Sequence, residues 1–306
     1  MPENRRPLVT IVTPTYNQAE FLAATLDSML AQDYPNIEYL VLDDGSTDTT
    51  PDVLQRYNGR VRWERQANMG QSRTLNKGWA GARGEYLGYL SSDDLLAPNA
   101  ISTLVRALEE HPDVPVVYCD FDLIDGQGRK TGHVQTPDYD RRQMIEELIC
   151  QPGPGALFRR KVLEQAGGWN ESLRKIPDFE FWLRASRMGP FLRVPETLAQ
   201  YRVHEESTAI RPLPYDRSME IVETMRAFWK DDPGAPSARR SLAAAHLKAS
   251  KSHAQSGRVG HAVRDFLAAA RYRPKTLVSI SSWGKLLSGF GLRLTSRFGY
   301  LSARLR

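Results

Sequence analysis

The chain has 306 residues, of which 41% are hydrophobic and 25% are charged, and its formal net charge is +5 at pH 7. These values predict a globular protein with a sizeable core, long enough for one large domain and an appendage. The two cysteines, Cys119 and Cys150, are too few for a disulfide framework or a zinc cluster and fit a reducing compartment.

The charge is divided unevenly along the chain. From residue 233 onward there are 14 Lys and Arg and one acidic residue, Asp265. That segment carries about +13, and because the whole chain carries +5, the part before it carries about −8. An acidic main domain argues against a nucleic acid partner, whereas the basic tail favours an anionic membrane surface or an acidic protein.

The N-terminal residues are polar, and the apolar run at 8–13 is too short for the core of a signal peptide. No apolar run in the sequence reaches the length that spans a membrane. We therefore expect a cytoplasmic protein, with peripheral attachment to the inner face of the membrane as the open alternative.

The first part of the chain alternates apolar strands with amphipathic helices. Strands are predicted at 8–13, 37–42, 60–65 and 86–90, and helices at 21–32, after 50, at 70–82 and at 98–109. This repeated order predicts an α/β fold with a parallel sheet covered on both faces. No glycine-rich dinucleotide loop follows the first strand and no Walker loop is present, which disfavours a nicotinamide dehydrogenase.

After residue 110 the pattern changes. The sequence predicts a strand at 114–124, a hairpin turn at 125–128, loop and a short helix at 135–152, a strand near 153–158, and a strand ending at 201–204.

Polar side chains follow three of the predicted strands: Tyr16, then Asp43 and Asp44, then Asp93 and Asp94. The carboxyl ends of parallel strands lie at one edge of a sheet, where ligands bind. Carboxylates there suit a divalent cation and a diphosphate, and an aromatic ring can stack on a base. The alternatives are turn formation, or capping of the helix at 98–109 by the second aspartate pair.

Three later features have both a functional and a structural interpretation. Arg73 and Lys77 lie near the start of a helix that could bind an anion, although a solvated helix face is the better interpretation for Lys77. Asp178 precedes a helix with three aromatic residues and could be a plain N-cap, and Trp182 is expected in the core. His204 alone would be structural.

Taken together, these residues resemble the inverting glycosyltransferases of family two, which have the GT-A fold, over roughly residues 7–208. The resemblance rests on motifs in a set order: Val12-Thr-Pro-Thr-Tyr-Asn17, Val41-Leu-Asp-Asp-Gly-Ser-Thr-Asp48, Asn68-x-Gly70 with Asn76-x-Gly78, Leu90-Ser-Ser-Asp-Asp94, Gly167-Gly-Trp-Asn-Glu-Ser172, Pro177-Asp-Phe-Glu-Phe-Trp182 and Tyr201-Arg-x-His204.

The resemblance implies a nucleotide site. Pro14, Tyr16 and Asp43 fall where the family holds the base, with Asp44 beside them. To the same site we assign Asn68, Arg73, Asn76 and Asp94.

The resemblance also implies a metal site and a catalytic base. Asp93 matches the last carboxylate of the metal-binding Asp-x-Asp motif, and His204 can complete a site for Mn²⁺ or Mg²⁺. Asp178 matches the general base. The chain departs from the family at Ser91, which replaces the first carboxylate, and at Pro177, which replaces the glutamate before the base.

The expected activity is transfer of one sugar from a UDP- or dTDP-linked donor to a hydroxyl of a glycan or lipid-linked acceptor, in cell-surface polysaccharide biosynthesis. The processive Gln-x-x-Arg-Trp signature is missing, which fits a single transfer. The first alternative is a sugar-nucleotide-binding protein with impaired catalysis, motivated by Ser91 and Pro177. A nucleotidyltransferase is disfavoured because no basic, glycine-rich loop follows the first strand.

We expect the transferase domain at residues 1–210 and a helical region at 211–306. The helices at 242–255 and 259–272 are similar to one tetratricopeptide unit, which cannot bury its own face. Residues 277–306 are amphipathic and basic, which suits a membrane interface. Packing of this tail on its own domain is the alternative.

Overall fold

The computed structural model describes residues 6–204, 213–278 and 284. These residues form two compact units. The sheet unit contains the described residues up to 139, together with 150–172 and 177–204. The helical unit contains 140–149, 173–176 and the described residues after 204. Two loops that precede residue 204 in sequence therefore belong to the helical unit.

The alternation predicted for the first part of the chain is confirmed. The strands are β1 (Val9–Thr15), β2 (Ile37–Asp43), β3 (Arg62–Arg65) and β4 (Tyr86–Tyr89), and the helices between them are α1 (Ala19–Leu30), α2 (Thr50–Gln55) and α3 (Gln71–Ala80). Strands β3, β2, β1 and β4 are neighbours in that order, and each pair is parallel.

The rest of the sheet mixes directions. Its elements are β5 (Leu95–Leu96), α4 (Ala100–Glu110), β6 (Val116–Ile124), β7 (Lys130–Val134), β8 (Leu157–Arg159), α5 (Arg160–Ala166), α6 (Pro177–Ala185) and β9 (Leu192–Arg202). Across the described residues the sheet has the order β3-β2-β1-β4-β8-β6-β9-β5, with β7 beside β6. Strand β8 is antiparallel to both β4 and β6, whereas β6 and β9 are parallel.

The short strand β5 decides one of the open alternatives. It lies between Asp94 and helix α4, and Asn99 occupies the N-cap position of α4, where its side chain makes no capping hydrogen bond. The interpretation of Asp93 and Asp94 as caps of this helix is therefore wrong. A two-residue strand carries too few side chains for a periodic pattern, so the sequence did not predict it.

Helices cover the sheet through apolar side chains. On one side, Leu22 and Leu26 of α1 pack with Leu54 of α2 against Val41 of β2. Complete burial of one such leucine contributes about 1.5–3 kcal/mol. Helix α3 comes so close to β1 that a Cβ at Gly78 would lie 2.5 Å from the Val12 side chain, so the glycine permits this close approach.

An aromatic cluster lies beneath helix α6. Phe181 and Trp182 of that helix contact Phe158 of β8, with ring centroids 5.2 and 6.0 Å away. Trp79 of α3 joins them at 5.3 Å from Phe158. Trp182 is 1% exposed, which confirms its expected place in the core.

The helical unit contains α7 (Tyr215–Phe228), α8 (Pro236–Gln255) and α9 (Val259–Tyr272), with a π-helix at Gln143–Glu147 and a 3₁₀ helix at Pro274–Val278. The predicted C-terminal helices are therefore present. Within the described ranges, none of the helices combines the length and the apolar character needed to cross a membrane. Most of the predicted amphipathic tail, residues 279–283 and 285–306, lies outside the described residues.

A buried polar cluster joins α8 to α9. His246 contacts the Asp265 carboxylate through Nδ1 at 2.9 Å, and Nε2 of His253 lies 3.5 Å from the other carboxylate oxygen. Arg258 donates a hydrogen bond to Nδ1 of His253 at 2.9 Å. Burial lowers the pKa of His253 to about 4, and the charge of Arg258 adds to this shift.

We expect acid to destabilise the helical unit. Arg258, His261 and Arg264 disfavour a proton on His253, and Asp265 only partly offsets them. Between the ordinary histidine pKa of 6.5 and the folded-state pKa of about 4, the unfolded state binds more protons, so the free energy of unfolding falls as pH falls. Melting of the helical signal in circular dichroism at pH 7 and pH 5 measures this loss.

His253→Gln should reduce the dependence of the melting temperature on pH over this range. His133→Gln is the control, because His133 is an exposed residue of the sheet unit. An unchanged slope in His253→Gln would contradict the assignment.

Candidate active site

The carboxyl ends of neighbouring parallel strands lie at one edge of the sheet. Thr15 of β1 is paired in register with Asp43 of β2, and Asp43 with Arg65 of β3. On the other side of β1, strand β4 ends at Tyr89. The residues that follow β1, β2 and β4 therefore leave the sheet at the same edge.

The Asp43 carboxylate is buried at the end of β2. Its Oδ1 accepts a hydrogen bond from the Ser46 N–H at 3.0 Å. Its Oδ2 lies 3.3 Å from Nε of Arg65, but no described residue donates a hydrogen bond to it. A buried acceptor without a donor is unfavourable. This oxygen is therefore suited to a donor group on a ligand that displaces Arg65, whose side chain is half exposed.

Tyr16 follows Thr15, the residue of β1 that is paired in register with Asp43. It is 46% exposed, so its ring is open to stack on a ligand. Pro14 is a buried residue of β1. The neighbouring Asn17 ties the two loops together, because its N–H donates to Ser46 Oγ at 2.9 Å and its Oδ1 accepts from the Thr47 N–H at 2.8 Å.

Asp44 is buried and supports the loop before α3. Its Oδ1 accepts hydrogen bonds from the Gln66 amide and the Met69 N–H, both at 2.9 Å, and its Oδ2 accepts from the Gly70 N–H at 2.8 Å. Asn68 lies in that loop with an exposed side chain. The structure thus gives Asp44 an internal role, and its predicted contact with the nucleotide stays a prediction.

Arg73 and Asn76 of α3 hold the segment that follows α5. Arg73 pairs with Glu171 at 3.0 Å. The Asn76 side chain accepts from the Trp169 N–H at 2.8 Å and donates to the Trp169 carbonyl at 2.9 Å. A Cβ at Gly168 would lie 2.2 Å from Asn76 Oδ1. Both residues are thus engaged by protein, and their contact with a nucleotide also stays a prediction.

Asp93 and His204 form a pair after β4 and β9. The Asp93 Oδ2 lies 3.1 Å from His204 Nε2. The histidine side chain is 9% exposed and the aspartate side chain 23% exposed. The histidine ring packs on Phe21 of α1, with centroids 4.7 Å apart. The pair is therefore held in place on one side and accessible through its carboxylate.

Asp94 is turned into the protein. Its Oδ1 accepts the Arg202 N–H at 2.9 Å, and its carbonyl accepts from Thr25 Oγ1 at 2.9 Å. Burial raises the pKa of Asp94 well above its usual range, and the negative charge of Asp93 adds to the shift. Asp94 therefore joins β4 to β9, and its predicted contact with the nucleotide stays a prediction.

Asp178 is the second residue of α6 and lies in its first turn. Its negative charge affects the Tyr89 hydroxyl at the end of β4. Burial raises the pKa of Tyr89 well above its usual value, and the negative charge of Asp178 raises it further, with a smaller contribution from Asp94. The charge of Asp178 thus disfavours ionisation of a hydroxyl at the end of β4, although Asp178 and Tyr89 are 89 positions apart in the sequence.

Sequence reasoning assigned no role to three residues of this region. Arg65 faces Asp43 because β2 and β3 are in register. Arg202 belongs to a motif of the resemblance, but its backbone bond to Asp94 and its Nε bond to the Asp93 carbonyl at 2.8 Å depend on the return of β9. Tyr89 was one aromatic residue in an apolar strand. For Arg65, the sequence offered one signal, which is a positively charged side chain at the end of a predicted strand.

The Asp93–His204 pair fits a divalent cation that is shared with a ligand. The described part of the chain contains no group of three or more His, Cys, Asp and Glu side chains placed to hold a metal ion. Cations that act on nucleotides commonly take one or two protein ligands and complete their shells with phosphate oxygens and water. A site with one carboxylate and one imidazole leaves positions open for those phosphate and water ligands, whereas a site in which protein side chains supply every ligand does not.

Comparison with known sequences agrees with this chemistry. Residues 10–167 match the family model "Glycosyl transferase family 2". An uncharacterized glycosyltransferase of Rickettsia typhi, RT0329, is 31% identical over 234 residues, which cover 73% of this chain and 70% of that protein. The chondroitin synthase of Escherichia coli is 30% identical over 213 residues, which cover 68% of this chain but only 31% of the synthase.

Comparison with solved structures shows the fold. Staphylococcus aureus TarS 1–349 in complex with UDP-GlcNAc has a TM-score of 0.61 at 18% identity, over 93% of this chain and 80% of that chain. The mannosyltransferase PcManGT of Pyrobaculum calidifontis, in complex with GDP-Man and Mn²⁺, has a TM-score of 0.60 at 22% identity, over 98% and 84%. The predicted GT-A fold is confirmed. The chain is a glycosyltransferase and belongs to family 2.

Proposed function

We propose that the chain transfers a single sugar from a nucleoside-diphosphate sugar to a hydroxyl of a glycan or lipid-linked acceptor, in cell-surface polysaccharide biosynthesis. The observation that carries this proposal is that the Asp93–His204 pair and the Asp43 oxygen that lacks a donor among the described residues lie at the edge of the sheet where the parallel strands β1, β2 and β4 end. It supports one cleft for the nucleotide and its diphosphate. The charge of Asp178, which helps to raise the pKa of Tyr89 at the end of β4, supports a base near the same edge. The likeness to a chondroitin synthase supports a polysaccharide role.

The donor end of the cleft begins at Asp43. Its Oδ2, which lacks a hydrogen-bond donor among the described residues, accepts the ring N–H of uracil or thymine, and Tyr16 stacks on the base. Asp44 and Asn76 act indirectly, because they hold the loops around the site. Asn68, in the loop that Asp44 holds, and Arg73, on α3, lie at the edge of the donor end of the cleft. Guanine also has N–H donors, so a GDP-sugar belongs in the test.

The diphosphate lies near Asp93 and His204. These two side chains would hold Mn²⁺ or Mg²⁺, which would supply positive charge to offset the charge that develops on the departing diphosphate. Since Ser91 supplies a hydroxyl where the family has a carboxylate, the protein contributes less negative charge to this site.

Asp178 is the general base. It accepts the proton of the acceptor hydroxyl as that oxygen attacks the anomeric carbon. One displacement needs one base and inverts the configuration, in contrast to the two carboxylates of a glycoside hydrolase. The first turn of α6 suits this role, because the N-terminus of a helix stabilises negative charge, and Pro177 suits the first helical position.

Asp178→Asn should lower the rate of nucleotide release from the sugar nucleotide by on the order of 10²–10⁴, because it removes the base. Binding should be retained, so UDP-, dTDP- and GDP-sugars should give the same thermal shifts with Mn²⁺ as in the wild type. Turnover and melting temperature are measured on the same samples.

The matched control is Asp216→Asn. Asp216 is exposed and is likewise the second residue of a helix, α7. Normal turnover in Asp178→Asn would refute the base assignment. A wild-type protein that binds a sugar nucleotide but releases no nucleotide would favour the impaired binding protein.

Asp93→Asn and His204→Gln should each weaken the Mn²⁺-dependent part of UDP binding. We expect a loss of about 10-fold or more, since even residues that only orient a metal ligand contribute this much. Calorimetric titration of UDP with and without Mn²⁺ measures the effect without reference to activity.

His133→Gln is the matched control, because His133 forms a similar pair with Asp122 at 2.9 Å elsewhere in the sheet unit. If Mn²⁺ strengthens UDP binding in all three variants as in the wild type, the metal assignment is wrong.

We also propose that residues 277–306 attach the protein to the inner face of an anionic membrane. This segment has five Lys and Arg and no acidic residue, interspersed with apolar side chains such as Trp283, Phe290 and Phe298. Such a segment binds an anionic interface through apolar insertion and charge.

The full chain should therefore co-sediment with vesicles that contain phosphatidylglycerol, and salt should weaken the association. Vesicles of phosphatidylcholine alone are the control. Absence of binding at low salt would dismiss the membrane role and favour a tail that packs on its own domain.

A further inference from the structure

A buried carboxylate holds the backbone immediately before α6. Glu220 of α7 accepts hydrogen bonds from three successive N–H groups of the loop at 173–176. Its Oε1 accepts from Arg174 at 2.9 Å, and its Oε2 accepts from Lys175 at 2.7 Å and from Ile176 at 3.3 Å. All of these residues belong to the helical unit.

The Glu220 carboxylate depends on these three hydrogen bonds because it is buried. Glu220 is 7% exposed, and a buried carboxylate is stable only when donors surround it. Hydrogen bonds to a charged acceptor are stronger than neutral ones, and N–H groups that precede a helix have no partner inside it. Glu220 thus supplies the acceptors for the N–H groups of the loop, and these groups are the donors that the buried carboxylate requires. The loop is therefore restricted to one conformation.

The loop leads directly into the candidate base. Ile176 is followed by Pro177 and then by Asp178. Proline restricts its own φ angle, so the chain has little freedom between the last bond to Glu220 and Asp178. The glutamate that precedes the base in the family is replaced here by this proline, and Glu220 supplies a carboxylate from a helix more than 40 positions later.

A second loop of the helical unit is held in the same manner. The Glu146 carboxylate accepts from Ser237 Oγ at 2.7 Å and from Arg240 at 3.0 Å, both on α8. Ser241 Oγ donates to the Ile145 carbonyl at 2.7 Å. Helices α7 and α8 therefore each hold one of the two loops that precede residue 204 in sequence and belong to this unit.

We propose that Glu220 is a positioning residue for Asp178, through the loop at 173–176. The proposal rests on the proposed function of Asp178 as the base. Without Glu220, the N–H groups of residues 174–176 lose their acceptor, and the loop that Pro177 joins to Asp178 no longer has a single conformation, so the base samples unproductive positions.

The first experiment tests the contact itself and needs no activity. Glu220→Gln keeps the side-chain volume but replaces one acceptor oxygen with an N–H₂ group. Amide hydrogen exchange in the peptide that covers 173–179 should become faster by on the order of tenfold. Glu223→Gln, an exposed position on the same helix, is the matched control and should exchange as the wild type does. Unchanged exchange in Glu220→Gln would overturn the proposal.

The second experiment tests the effect on the base. Nucleotide release from UDP-GlcNAc and from GDP-mannose is measured at steady state over a range of donor concentrations, per site counted by UDP titration, so that unfolded protein does not contribute. In Glu220→Gln, kcat should fall on the order of 10- to 100-fold, because small displacements of a reacting group have effects of this size. The KM for the donor should stay unchanged.

A double-mutant cycle separates positioning from general damage. In the Asp178→Asn background, Glu220→Gln should change the residual rate by no more than about twofold, because the group that it positions is already absent. An equal loss in both backgrounds, or an unchanged kcat with faster exchange, would overturn the positioning role. If the wild type releases no nucleotide from either donor while Asp178→Asn is equally inactive, the proposed function fails, and the exchange result still decides whether Glu220 holds the loop.

Discussion

The need to satisfy buried carboxylates with hydrogen-bond donors organises the edge of the sheet where the strands end. In each of the two Asp-Asp pairs the second aspartate is used by the protein: Asp44 accepts from the loop before α3, and Asp94 accepts from the backbone of β9. The first aspartates, Asp43 and Asp93, keep an oxygen that faces Arg65 or His204. In each pair, therefore, one member supports the surrounding backbone, and its neighbour is the residue to which we assign a ligand.

The same physics extends to the loops beyond the sheet. Asn76 binds both backbone groups of Trp169, and Arg184 of α6 donates to the Gly168 carbonyl at 2.6 Å. In the helical unit, Glu220 gathers three N–H groups before α6. Polar side chains from helices thus replace the regular hydrogen bonding that these irregular segments lack. A site made of loops requires such partners, because its residues must hold their positions before a substrate arrives.

Much of the fold could be predicted because its signals are local. The strands at 9–15, 37–43 and 86–89 are apolar runs, and helices follow each of them at the expected spacing. The antiparallel strands β5 and β8 were harder, since two or three residues carry no periodicity, and strand direction is decided by how the chain returns to the sheet. The motifs also indicated the family, because their order and residue types are specific even where single motifs are weak.

By itself the sequence determined the alternation of strands and helices, the residues that follow the strands, and the likeness to a family of transferases. These depend on neighbours within a few positions, where periodicity and turn chemistry act. Only the tertiary structure decided which polar residues are used internally, that Arg65 pairs with Asp43, that Arg202 binds Asp94, and that Glu220 holds the loop before α6. Those facts depend on burial and on contacts between residues far apart in the chain, and no local pattern carries that information.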